Sequence, residues 1–279
     1  MTMPDPVILE LGSLQLRWYG VFAATAMLVS YFMLTLRARK STFLKQDDVP
    51  SLLALCIVAG LIGARAEYVR RFWTEYFSHD PAAIFRVWQG GLVFQGGFIL
   101  GFLAALVYCR VRKWPCGALG DLVAPVLAVG HGVARLGCLF NGCCFGRPWS
   151  HFGGVQYPDG CNDVFNTQLI LGQLPDGATC SLPVIPTQLI EALCCFAIAG
   201  IIFLCERRRI LEGRRFFVYL LGYCAARFFL EFLRGDYHAK NVLTPAQWTT
   251  VLVIVPATLA VFVWDAVRRK NNRTAGKGR

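Results

Sequence analysis

"DLVAPVLAVGHGVARLGCLFNGCCFGR", Asp121 to Arg147, begins as a membrane span and does not end as one. It belongs to a largely apolar run, 119–138, long enough to cross a hydrocarbon core of about 30 Å as a helix. His131 and Arg135 interrupt that run, and an Asn-Gly turn with three cysteines closes it. Why the chain accepts a guanidinium at this depth bears on both its architecture and its chemistry.

The run is not alone. Comparable stretches lie at about 18–36, 50–69, 92–109, 186–205, 216–233 and 247–267, which with 119–138 makes seven. Apolar residues form 56% of the 279 and charged residues 16%, and the mean hydropathy is positive. The prediction is an all-α polytopic membrane protein with seven transmembrane helices, not a soluble domain. Basic residues are unevenly shared between the two sides. Eighteen follow spans one, three, five and seven, against seven on the other side. The positive-inside rule then puts the N-terminus outside and the C-terminus in the cytoplasm. Domain organisation follows: a transmembrane domain over 1–267 and a basic cytoplasmic tail, "RRKNNRTAGKGR", at 268–279. That bias accounts for most of the net charge of +11, so no nucleic-acid partner is needed. "MTMPDP" lacks a basic n-region, so the first span reads as a retained anchor.

Two segments on the outside are long. Residues 70–91 mix Phe72, Trp73, Tyr76, Phe77, Phe85 and Trp88 with charges, which suits the headgroup layer. Residues 141–185 carry two Pro-Asp-Gly turns, each near a cysteine, and are expected to fold as a small exterior lobe. Cys161 and Cys180 are candidates for a disulfide there, with Cys143 and Cys144 as competing partners. Cysteines within spans read as small apolar fillers. The C-x4-C-C run of Cys138, Cys143 and Cys144 is not a regular zinc spacing, so no metal and no cofactor are expected.

A charge at mid-bilayer costs about 2.5–3.5 kcal/mol on insertion scales, so each needs a partner, a wet cavity or a shallow position. Arg227 and Glu231 are i,i+4 neighbours, with Arg234 a turn further on. Arg65 and Glu67, two apart, point to different faces and call for partners on other helices. His131 and Arg135 share a face, and no acidic residue lies between Asp121 and Asp159. The counterion of Arg135 is therefore on another helix or is a bound anion. The plentiful anion in a membrane is a phospholipid phosphate, which guanidinium grips through paired donors. Glycines 130, 132, 137, 142 and 146 allow backbones or headgroups close. Tyr19, Gln95, Asn141, Gln188 and Glu191 complete an outward polar cavity.

"LRWYG", "RVWQGGLVFQGG", the run quoted above, "PTQLIEA" and "RFFLEFLRG" occur in the order found in prolipoprotein diacylglyceryl transferases, and the chain resembles that family over nearly its whole length. The resemblance implies transfer of the diacylglyceryl group of phosphatidylglycerol to the lipobox cysteine thiol of a prolipoprotein. A thioether forms and glycerol phosphate leaves, at a bacterial cytoplasmic (inner) membrane. Arg135 then matches the phosphatidylglycerol-binding arginine and Asn141 the asparagine of the same motif. Arg227 and Glu231 match the charged pair of span six, and Tyr19 the tyrosine of span one. Arg234 joins the headgroup side. Four positions depart: Gln95 and Ile185 where the family has histidines, Cys138 where it has asparagine, and Cys143 where it has glutamate.

Sulfur must displace a phosphate ester at a glycerol carbon, so arginines in a water-poor cavity suit the leaving group. The nucleophile must be a thiolate. Gln95 cannot accept a proton usefully. His131 is one candidate base, a structural histidine is its rival, and depression of the thiol's pKa by the arginines is a third option. Two other functions stay open from the residues alone: a transporter with an outward anion cavity, and a thiol oxidoreductase using Cys143 and Cys144.

Overall fold

A computed structural model describes residues 1–11, 14–87, 90–159, 163–175, 177–235, 244, 247, 248, 250–256, 258 and 259. It is mainly helical. A hairpin of β1 (Val7–Leu11) and β2 (Leu14–Arg17) leads into α1 (Trp18–Ala38), α2 (Asp48–Arg71), α3 (Phe94–Val111) and α4 (Cys116–Asn141), then α5 (Asp163–Ile170), α6 (Thr187–Arg207) and α7 (Arg215–Glu231). In lipid a segment must satisfy its own backbone groups, and a long apolar helix does so without outside help. α1, α2, α4 and α6 are long and apolar enough to cross a membrane, while the apolar part of α3 is shorter. Helices α1, α2, α3, α4, α6 and α7 begin and end within three residues of six of the apolar runs. The seventh expected span falls partly, and the basic tail wholly, outside the described residues. The antiparallel hairpin before α1 was not expected.

The chain divides into two compact units, residues 31–123 and residues 1–30 with 124–279. In the first, α2 packs on α3 through small residues. A Cβ on Gly63 would run into the Gly96 carbonyl oxygen, and one on Gly97 would lie 2.9 Å from that of Gly60. Such small residues let backbones approach where lipid supplies no hydrophobic drive. Arg65 finds its partners not on another long helix, as expected from the sequence, but on the backbone of the segment after its own, including the short 3-10 turn Pro81–Phe85. Its guanidinium donates to the carbonyls of Ile84 (2.9 Å), Gly90 (2.7 Å) and Gly91 (3.0 Å), with Ala83 and Arg86 alongside. Glu67 likewise finds partners on its own helix, Arg70 at 2.7 Å and Arg71 at 2.9 Å. Turning back to the following segment, or three and four residues along one helix, satisfies these charges locally. Phe77 is buried in the 70–91 segment, while Trp73, Tyr76 and Phe85 are exposed.

In the second unit, the described residues of the 141–185 segment fold on the end of α4. Met3, Leu139, Phe145, Val155, Tyr157, Val164 and Val184 form their core. The buried Tyr157 hydroxyl donates to the Leu139 carbonyl at 2.7 Å. Burial pushes that phenol above its ordinary range, which keeps it a donor. Cys180 is a free thiol, and its expected partner Cys161 lies outside the described residues. The glycines of α4 admit protein neighbours: Ser30 at Gly130, Phe196 at Gly132 and Phe22 at Gly137.

Candidate active site

Three helices of the second unit bring their charges to one place. α4 supplies His131 and Arg135 from one face, and α6 supplies Glu191. α7 supplies Tyr219, Tyr223, Arg227 and Glu231, which recur every four residues and so line one stripe.

Arg135 is the centre. Its Nη2 lies 3.1 Å from Glu191 Oε1 and donates to the Tyr223 hydroxyl at 3.3 Å, while that hydroxyl donates to Glu191 at 2.9 Å. Arg135 Nε donates to His131 Nε2 at 3.3 Å, and Nη1 lies 3.6 Å from Cys144 Sγ. The counterion is thus a carboxylate on another helix, one of the two alternatives left open by the sequence. Glu191 also faces Arg227, at 4.0 Å from Oε2, and Arg227 pairs with Glu231 at 2.8 Å. Two guanidiniums and two carboxylates alternate: Arg135, Glu191, Arg227, Glu231.

Depth separates the two signs. The side chains of Glu191 and Glu231 are 3% and 6% exposed, those of Arg135 and Arg227 16% and 19%. The carboxylates sit behind and offset the cost of the arginines, whose side chains stay the more exposed. A low dielectric around such donors strengthens their hold on an anion.

His131 is fully engaged. Because Nε2 accepts from an arginine, which has only donors, the neutral ring carries its proton on Nδ1 and donates it to the Tyr219 hydroxyl 3.1 Å away. Taking a second proton would break the Arg135 contact and set two cations side by side.

The turn after α4 is built by Gly142. It has φ +69°, with Cys143 N–H bonded to the Cys138 carbonyl at 3.2 Å and Gly142 N–H to Leu139 at 3.4 Å. This is the Schellman closure, in which glycine takes the left-handed position. Cys144 is left-handed too, at φ +59°. The "PTQ" of α6 clamps the turn: Gln188 Nε2 donates to the Cys143 carbonyl at 2.7 Å and the Thr187 hydroxyl to that of Cys144 at 2.8 Å. The sulfurs of Cys138, Cys143 and Cys144 consequently lie within 4.8 Å of one another. Hydrogen bonds from the other two thiols, with Arg135 and Arg234 nearby, hold the Cys144 thiol well below its usual range.

Of the expected residues, His131, Arg135, Arg227 and Glu231 come together directly. Arg234 pairs its backbone with Gly146 and its charge reaches Cys144. Tyr19, half exposed, passes beside Gly137 and within electrostatic reach of the three cysteines and Arg135. Asn141 ends α4, and among the described residues its side chain makes no hydrogen bond. Glu191 was expected in the polar cavity but not as the partner of Arg135, and Tyr219 and Tyr223 were missed; the four-residue spacing on α7 was the available signal for the tyrosines. At the departing positions, Gln95 accepts from Arg71 at 3.2 Å in the first unit, and the Ile185 carbonyl accepts from Gly146 at 3.0 Å.

A family model described as prolipoprotein diacylglyceryl transferase matches residues 6–264. Among similar proteins are the phosphatidylglycerol–prolipoprotein diacylglyceryl transferases of Staphylococcus aureus strains JH9, N315 and MRSA252. Each is 31% identical over 263 residues, covering 92% of this chain and 88% of the relative.

Proposed function

Because this chain belongs to the prolipoprotein diacylglyceryl transferase family, we propose how its own residues carry the transfer. The protein moves diacylglyceryl from phosphatidylglycerol to prolipoprotein in lipoprotein maturation. In the full reading it has seven spans with the N-terminus outside. It sits in the bacterial inner membrane, the 141–185 segment forms an exterior lobe, and the acceptor is the lipobox cysteine.

The observation that carries the site reading is the ordering of charge, with two guanidiniums in front of two deeper carboxylates. Arg135 and Arg227 hold the lipid phosphate and stabilise the second negative charge that develops on it as glycerol phosphate leaves. Glu191 and Glu231 orient them. Arg234 and Asn141 serve the headgroup, and Tyr19 borders the site. His131 acts as a positioning residue that fixes Arg135, not as the base that takes the thiol proton.

The test is an assay of purified protein with phosphatidylglycerol and a lipobox peptide, following peptide mass and glycerol phosphate release. Wild type is expected to form diacylglyceryl-peptide, and Arg135→Ala to lose on the order of 10²–10³-fold in rate, as when a preorganised donor is removed. Arg135→Ala working at the wild-type rate would remove Arg135 from the phosphate.

A further inference from the structure

The transfer needs a thiolate, and neither obvious base is free to make one. Position 95 is glutamine, and the acceptor nitrogen of His131 is held by Arg135. The three cysteines beside Arg135 offer another way to ionise the thiol.

We propose that Cys138, Cys143 and Cys144 hold a zinc ion whose fourth position takes the acceptor thiol. This rests on the transferase reading and supplies its nucleophile. Four observations lead to it. The three sulfurs are grouped within 4.8 Å, and a tetrahedral zinc with Zn–S of about 2.3 Å needs them about 3.8 Å apart, a change within reach of side-chain rotation. The grouping is built: Gly142 curls the chain back, Cys144 keeps a left-handed backbone, and Thr187 and Gln188 clamp the carbonyls of Cys144 and Cys143. Among the described residues no fourth ligand joins the three. Structural zinc sites close with four protein ligands, whereas three with an open position is the catalytic pattern. Lastly, Cys144 Sγ lies 3.6 Å from Arg135 Nη1, so a thiolate held there meets the phosphate ester at one guanidinium.

The charges suit the ion. Three thiolates on Zn²⁺ carry one net negative charge, and a fourth brings it to two. Arg135 Nη1, 3.6 Å from Cys144 Sγ, offsets part of that charge. A coordinating thiol is deprotonated outright, and its proton passes to solvent. The thiolate then attacks the glycerol carbon bearing the phosphate ester. A C–S bond forms, the C–O bond breaks, and its electron pair leaves on the glycerol phosphate. The product thioether is neutral, a weaker zinc ligand, and so dissociates. The irregular C-x4-C-C spacing does not exclude this, because the Schellman turn folds residues 143 and 144 back over residue 138.

The test uses purified full-length protein, stripped of metal with a chelator and reloaded with Zn²⁺ or Co²⁺. One zinc per chain is expected by metal analysis. The cobalt form should show tetrahedral thiolate absorption, which strengthens when lipobox peptide is added without lipid and does not change with a peptide carrying serine for cysteine. Cys144→Ser should lose that spectrum. A thiol of pKa about 8.5 is only about 3% ionised at pH 7, so stripping should slow transfer by up to about thirtyfold there, and less as pH rises. Absence of stoichiometric metal, or full-rate transfer by stripped protein at pH 7, would overturn the zinc site and leave the transferase reading intact. If no form makes diacylglyceryl-peptide, the transferase reading fails, and the cobalt response to peptide still decides the site.

Discussion

Arg65 and Arg135 are both arginines in apolar helices, and they have been accommodated in opposite ways. Arg65 sends its donors to backbone carbonyls of residues 83–91 and is itself buried. Nothing is left over for a ligand, and its charge anchors the segment that follows α2. Arg135 is held by a histidine, a tyrosine and a carboxylate deeper than itself, and its side chain is less buried than that carboxylate. A guanidinium in a span is therefore not a binding site by its presence. What decides is whether the surroundings consume its donors or only aim them.

If that contrast holds, the two should fail differently. Arg65→Ala leaves several buried carbonyls unpaired, at about 1–3 kcal/mol each, so a loss of roughly 3–5 kcal/mol in stability is expected. Thermal unfolding would show it, while the protein still folded at low temperature should bind lipid normally. An Arg65→Ala protein with unchanged melting and no activity would break the comparison. Glu191→Gln tests the other side. Arg135 and Arg227 lose their shared carboxylate, and transfer is expected to fall by about 100-fold with little change in acceptor-peptide KM, since orientation at the reacting phosphate is worth that much. His131→Gln should do least. Glutamine can also accept from Arg135 and donate to Tyr219, so activity should stay within about tenfold of wild type, with an unshifted pH profile. A profile that loses a group titrating near neutrality would restore His131 as the base.

Six of the helical stretches were legible because apolar run length is a one-dimensional property, and α1, α2, α3, α4, α6 and α7 follow it closely. The β1–β2 hairpin was not, because strands of five and four residues give too short an alternation to separate from the apolar background. For the site, the charged pair on α7 and the His131–Arg135 pair could be read from i,i+4 spacing. Glu191 could be placed at the polar level of "PTQLIEA" but not identified as the partner of Arg135, since pairing between α4 and α6 leaves no local signature. Arg65 misled for the same reason: its partners are carbonyls some twenty residues on, and carbonyls have no letter in a sequence. The cysteine group was hidden by a turn, where one left-handed glycine changes which residues are neighbours.

The most direct measurement is the binding of short-chain phosphatidylglycerol to wild type, Arg135→Ala and Arg65→Ala by titration calorimetry, below the melting point of each. Binding lost in Arg135→Ala and kept in Arg65→Ala is the expected result. Equal binding by Arg135→Ala and wild type would contradict the assignment of the lipid phosphate to Arg135.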